Sequence, residues 1–230
     1  MTLNKLLINP HSKPYIIWLG NKEVPLFVID DIFATPLEVR HLAFSNSFPS
    51  SVAYYPGRHQ PLSQEDPSIK AFCHFIATVL TRATGKQIKT EAISTDFSIL
   101  TTPEEKLLDN QGQPHIDGTP MLGVIYLNEQ DLGGTVFFRN RETNSMTVVT
   151  EAQKAHYQNL SAQRKLDTPL GYVTDTNTQW EKVDTIEGKL NRLVIWPGNV
   201  FHSIDVKVNP ASGQLDEKRL TQRVIINAIG

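Results

Sequence analysis

From residue 91 onward the chain is divided at short intervals into segments rich in Val, Ile, Phe and Thr. Residues 91–101, 121–128, 134–139, 192–196, 200–208 and 219–229 have the composition of β-strands. Between them lie turn-forming residues: Asn110-Gln111-Gly112, Gly133-Gly134, Pro197-Gly198, and Asn209-Pro210 with Gly213. Many short strands with hairpin-like gaps must each bury one face, and an antiparallel sandwich or barrel lets them do so. The pattern predicts a mainly β fold with supporting α-helices. The exception is 141–190, which reads as a long polar insertion with an exposed helix over 151–164. Long insertions beside a barrel mouth often carry substrate contacts.

Residues 1–90 read as helical and strand support for a core over 91–230. The apolar run VPLFVI, 24–29, is of strand type. Thr35-Pro36-Leu37-Glu38 reads as a helix start, with Thr35 as cap, Pro36 at the first position and Glu38 completing a capping box. A second helix is predicted from Asp66-Pro67 to Gly85, with Ile69, Phe72, Cys73, Ile76 and Leu80 as its apolar stripe. His41 and His74 on these helices suit surface or supporting roles. No repeat or linker divides the 230 residues, so the expectation is one domain, 1–230.

Composition narrows the function. A net charge of −2 gives no electrostatic footprint for nucleic acid or an anionic membrane. One cysteine, Cys73, excludes an internal disulfide framework and a cysteine-rich zinc site. No apolar stretch approaches membrane-spanning length, and Pro10, His11 and Pro14 interrupt the N-terminal apolar runs. The expectation is a cytoplasmic protein. Its oligomeric state is not legible.

The chemistry starts at Gln-Pro-His-Ile-Asp-Gly-Thr, 113–119. In an extended segment residues two apart point to the same side, so His115 and Asp117 reach one point while Ile116 faces away. A third ligand comes from NVFHSIDVKV, where Val200, His202, Ile204 and Val206 share one face. A histidine among apolar neighbours is buried and must find a partner. Two histidines and one carboxylate make the facial triad of non-haem Fe(II) oxygenases, which leaves open positions on the metal. His11, His59 and His156 lie in segments that the pattern does not connect to this site. A catalytic zinc with an open position stays an alternative at this stage.

The last strand, KRLTQRVIINAIG, puts Arg219, Thr221, Arg223, Ile225 and Asn227 on one face. An inward arginine is costly unless it meets an anion, which a guanidinium grips bidentately. Arg219-Leu220-Thr221 offers such a grip, with Thr221 adding a hydroxyl. A hairpin joining this strand to the His202 strand makes the two neighbours; one symmetric about Gly213 sets 203 opposite 223 and favours Arg223 instead.

His115-Ile116-Asp117, GVIYLN (123–128), GGTVFF (133–138), WPGNVFHSI (196–204) and RLT (219–221) occur in an order that resembles the 2-oxoglutarate/Fe(II)-dependent dioxygenases, closest to their prolyl-hydroxylase-like branch. The likeness covers roughly residues 91–230. DDIFATPLEVRHLAF also resembles the lead-in helix of small bacterial members. The resemblance implies a double-stranded β-helix (jelly-roll, cupin-like) core. It implies Fe(II) on His115, Asp117 and His202, and 2-oxoglutarate as cosubstrate with its distal carboxylate on Arg219 and Thr221. Arg223 and Tyr126 are further cosubstrate candidates, and O2 takes the last site on the metal. The products would be succinate, carbon dioxide and a hydroxylated small molecule, amino acid, or peptidyl or carrier-bound residue. Desaturation or cyclisation are the other outcomes; Asp117 argues against halogenation. The chain departs from the family in the gap from His202 to Arg219, 17 residues (219 − 202), against about ten in relatives. Arg58, in the turn Tyr54-Tyr55-Pro56-Gly57-Arg58-His59, and Arg139, after the GGTVFF strand, are candidate substrate contacts. Two other classes compete: a cupin-like hydrolase or isomerase without 2-oxoglutarate, and a non-catalytic jelly-roll binding module.

Overall fold

In the computed structural model, the residues described are 6–45, 47–49, 55–108, 111–164 and 171–230, with side chains omitted at 159–164. Tyr54 of the aromatic turn and Asn110 of the first turn signal lie outside them.

Two antiparallel sheets face one another as a double-stranded β-helix. The large sheet runs, edge to edge, β1 (Pro14–Leu19), β2 (Val24–Ile29), β8 (Leu193–Pro197), β5 (Met121–Tyr126), β10 (Leu220–Ile226), β4 (Ile93–Leu100) and β3 (Gly57–Leu62). The small sheet is β7 (Trp180–Ile186), β6 (Thr135–Asn140) and β9 (His202–Ile204). Alternation decides what each face of the large sheet meets. Phe97, Ile99, Ile125, Leu193, Ile195 and Val224 pack outward with helix α2 (Pro67–Thr84) and with Val39 and Ala43 of α1 (Pro36–Phe44). Val124, Tyr126, Val194 and Trp196 point the other way and meet Phe137 of the small sheet, filling the barrel. The outer face of the small sheet, Val136, Phe138 and Phe201, is covered by Trp180, Val173 and Tyr157, the last from α3 (Glu151–Arg164).

Several sequence expectations hold at the level of local chemistry. Asp66 caps α2 by accepting from Ser68 N at 2.8 Å, and Gly85 ends it in the left-handed region at φ 70°. At α1, however, Thr35 makes no side-chain cap bond, so the expected capping box with Glu38 does not form. Pro36 alone starts that helix.

Three larger corrections concern topology. The His202 strand is three residues long, not nine, and lies in the small sheet, whereas β10 lies in the large one between β5 and β4. The expected hairpin between them does not exist, and the register argument for Arg223 goes with it. Secondly, 141–190 is not wholly an insertion: β7 falls inside it and pairs with β6 along its length. Thirdly, β1, β2 and β3 extend the large sheet, so residues 1–90 contribute strands to the barrel wall. No helix among the described residues is long and apolar enough to cross a membrane.

Candidate metal centre

His115 and His202 come from facing chain segments joined by a two-way backbone bridge. Each amide donates to the other residue's carbonyl at 3.0 Å. Their rings consequently lie 4.5 Å apart, centroid to centroid. Asp117 is fixed two residues on, its amide donating to Gly198 O at 2.7 Å. That approach needs glycine at 198, since a Cβ there would stand 1.9 Å from Thr119 O. Ile116 turns to the opposite face and packs with the outer cluster, as the alternation requires. The ligand atoms of His115, Asp117 and His202 lie within 4.8 Å of one another, a group that could hold a metal ion.

The hydrogen bonds prepare these atoms for a cation. His115 Nδ1 donates to Gln113 O and His202 Nδ1 to Val200 O, each at 2.9 Å. A carbonyl can only accept, so both Nδ1 atoms carry the proton and both Nε2 lone pairs stay free. Burial pushes the His202 imidazole down to about 4, against the pull of the Asp117 carboxylate, so it is neutral near pH 7. Its Nε2 lies 3.4 Å from Asp117 Oδ2. That oxygen is buried and has no hydrogen-bond partner among the described residues. Two acceptors facing each other in a buried place are unfavourable unless a cation sits between them. The donor set, N, N and O with one side open, suits a divalent transition metal. Trp196 and Phe137 wall the site, with the Trp196 ring 4.9 Å from that of His202.

The candidate cosubstrate residues lie on or beside the inward face of the large sheet. Tyr126 points inward, its hydroxyl 2.8 Å from Thr135 Oγ1. Thr221 lies opposite Tyr126 across the β5–β10 ladder and is buried. Arg219 is 4% exposed. Its Nε and Nη2 donate to Gly133 O and Gly134 O at 2.9 Å, and its guanidinium lies 5.6 Å over the Tyr126 ring. No carboxylate among the described residues forms an ion pair with it. Arg223, by contrast, is bound through Nε and Nη2 to the two oxygens of Asp96, at 2.8 and 2.5 Å.

Sequence reasoning picked the wrong neighbour at β3. Arg58 is exposed and pairs with Ile99, on the face turned away from the barrel. His59, one residue on, faces inward, with Nδ1 2.7 Å from Ser98 Oγ and 3.5 Å from Asp96 Oδ1. Arg139 is already held by Glu23, with its Nη2 2.6 Å from Oε1. Asp96 and Ser98 were missed as interior residues, whereas Trp196 packs in the barrel as a core residue. The alternation of Thr95-Asp96-Phe97-Ser98, with Phe97 outward, was the available signal. Tyr55 also reaches the interior, its ring tilted against that of His59 with centroids 4.5 Å apart. Burial raises its hydroxyl above the usual tyrosine range, while the charges of Arg219 and Arg223 oppose that rise.

Residues 10–226 match DUF6445, a family of unknown function. The chain belongs to that family. No curated protein matches it. A solved structure described as the non-heme alpha ketoglutarate dependent epimerase SnoN from nogalamycin biosynthesis is similar, with a TM-score of 0.50 and 12% identity over 88% of this chain and 78% of that one. SnoN in complex with Fe3+, alpha ketoglutarate and nogalamycin RO matches over 88% and 79%, again at 0.50 and 12%. A prolyl 4-hydroxylase structure from Phytophthora capsici gives 0.47 and 16%; the match covers 88% of this chain but only 58% of that one. At such identities the likeness to SnoN is one of fold, the jelly-roll that this DUF6445 chain adopts.

Proposed function

We propose that this protein is a non-haem Fe(II) and 2-oxoglutarate-dependent oxygenase acting on a small molecule, an amino acid, or a peptidyl or carrier-bound residue. The observation that carries the reading is the buried Oδ2 of Asp117, without a hydrogen-bond partner among the described residues, facing Nε2 of His202 at 3.4 Å. SnoN, of like fold, is described with Fe3+ and alpha ketoglutarate. On this reading His115, Asp117 and His202 hold the iron within a single domain, 1–230. Bound there with 2-oxoglutarate and O2, the iron supplies the oxidising power to attack an unactivated C–H bond as the cosubstrate loses carbon dioxide and becomes succinate.

The remaining work falls to the chain. Arg219 takes the distal carboxylate of 2-oxoglutarate, with Thr221 and Tyr126 beside it. It is preferred to Arg223 because, among the described residues, its buried guanidinium has carbonyls but no carboxylate to meet, whereas Asp96 already occupies Arg223. A buried cation without a counter-charge favours an arriving anion. Gln113 O and Val200 O hold the two imidazoles in the tautomer that presents Nε2. Trp196 and Phe137 keep water from the metal face they cover.

The test is anaerobic titration of Fe(II) and 2-oxoglutarate into the metal-free protein. A weak visible charge-transfer band that needs both, and is absent in H115A and D117A, supports the proposal. Metal binding without a band points to a cupin-like metalloprotein, and no metal binding to a binding module.

A further inference from the structure

The barrel holds a charged group that metal and cosubstrate do not use. Arg223 and Asp96 sit opposite each other on β10 and β4, both on the inward face. Asp96 Oδ1 also accepts from Ser98 Oγ at 2.9 Å, and His59 Nδ1 lies 3.5 Å from the same oxygen. The pair is not sealed: the Arg223 side chain is 25% exposed and that of Asp96 10%. Arg223 uses Nε and Nη2 on Asp96, and Nη1 has no partner among the described residues and can donate. Asp96 Oδ2 receives only Nη2 among the described residues, so it can accept again.

Charge then restricts what binds beside this pair. The two positive charges of Fe(II) and one each on Arg219 and Arg223 meet one negative charge each on Asp117 and Asp96 and two on 2-oxoglutarate. These charges cancel, and that of buried Asp205, which also acts on Tyr126, is offset by Lys207 at 3.9 Å. A net-charged substrate would enter without a counter-charge, and burying it would be costly. A zwitterion brings its own balance, with an acceptor for Arg223 Nη1 and a donor for Asp96 Oδ2.

We propose that the Arg223–Asp96 pair, braced by Ser98 and His59, is the substrate-recognition element of this site, and that it selects a primary substrate carrying a free α-amino acid head group. The proposal rests on the iron and 2-oxoglutarate reading for its charge balance. Arg223 and Asp96 are specificity residues here; Arg219 keeps the cosubstrate.

The test uses the free L-amino acids, their N-acetyl derivatives (anions) and their amides (cations), each added to the anaerobic Fe(II)·2-oxoglutarate protein. The charge-transfer band is expected to shift with one or more free amino acids and not with either blocked form. In D96N/R223Q, where two amides replace both charges and keep hydrogen bonding possible, the half-saturating concentration should rise at least tenfold. The affinity for 2-oxoglutarate should stay within about threefold of the unsubstituted protein. Equal responses to blocked and free forms, no response to any member, or unchanged amino acid binding in D96N/R223Q would each overturn the proposal. Calorimetry of the same panel on the metal-free protein reads head-group selectivity without the chelate. Absence of a band in the unsubstituted protein would therefore count against the oxygenase reading alone.

Discussion

A single oxygen atom, Asp117 Oδ2, concentrates the physical argument for the metal. It is buried, it has no hydrogen-bond partner among the described residues, and it faces an imidazole that is neutral near pH 7. D117A is expected to lose metal binding to below detection in equilibrium dialysis. Retention of stoichiometric iron would move the site elsewhere. Arg219 makes a separate prediction. A buried charge-assisted contact to a carboxylate contributes roughly 2–4 kcal/mol, so R219A should raise the half-saturating 2-oxoglutarate concentration about 30- to 1000-fold. If R223A has the larger effect in the same titration, the two arginines have been assigned the wrong way round. At this scale much was legible in the sequence. His115 and Asp117 announce themselves because extended backbone aims residues two apart together, and His202 because its neighbours are apolar. Arg58 misled because a turn with aromatics gives no strand phase. One residue of phase separates an exposed arginine from the inward His59.

At the scale of elements, Gly134 shows how closely the start of β6 approaches the end of β7. A Cβ on it would stand 1.7 Å from Ile186 O, and its carbonyl holds Arg219 Nη2. G134A should therefore cost at least about 2 kcal/mol in denaturant unfolding. It should also weaken 2-oxoglutarate binding; normal stability and normal binding together would contradict the described packing. The end of β2 is tied to β8 by a different device. The Arg192 guanidinium, hydrogen-bonded to Asp30 at 2.6 Å, holds that carboxyl below the usual carboxylate range. A carboxylate depressed on folding adds stability above its unfolded pKa and loses it as pH falls through the folded value. D30N should thus lower stability by about 1 kcal/mol or less at pH 7, since the pair is partly solvated. The gap should close in acid, and a gap that persists there would refute the pairing. Element existence was readable where apolar composition marked it, as in β4, β5, β8 and α2. It was not readable in β3, Gly-Arg-His-Gln-Pro-Leu, an edge strand with a single aliphatic side chain, nor in β7, whose Glu181, Lys182 and Asp184 obscure an ordinary strand. Sheet membership was the least legible property of all. Which sheet β9 and β10 join depends on how the chain crosses between layers, and local composition carries no record of that.

For the molecule as a whole, the ligand-bearing segments are held in register by the backbone bridge between His115 and His202. Binding should add to stability rather than create the fold. At a hundredfold excess over the dissociation constant a ligand adds about 2.7 kcal/mol. Fe(II) or a redox-inert stand-in such as Mn(II), given with 2-oxoglutarate, should raise the melting temperature of the intact protein and leave D117A unmoved. An unfolded metal-free protein by circular dichroism would contradict the preformed site.

That rigidity has a practical side. On the oxygenase reading, a cradle of two imidazoles and one carboxylate held by its own backbone ranks divalent ions by intrinsic affinity, and iron stands low in that order, below nickel, copper and zinc. On that reading, protein purified in air over a nickel resin is expected to arrive carrying the resin's ion, folded but without activity. Its elemental content then records the history of the preparation, and an inactive sample says nothing about the chain until that ion has been stripped and ferrous iron supplied without oxygen.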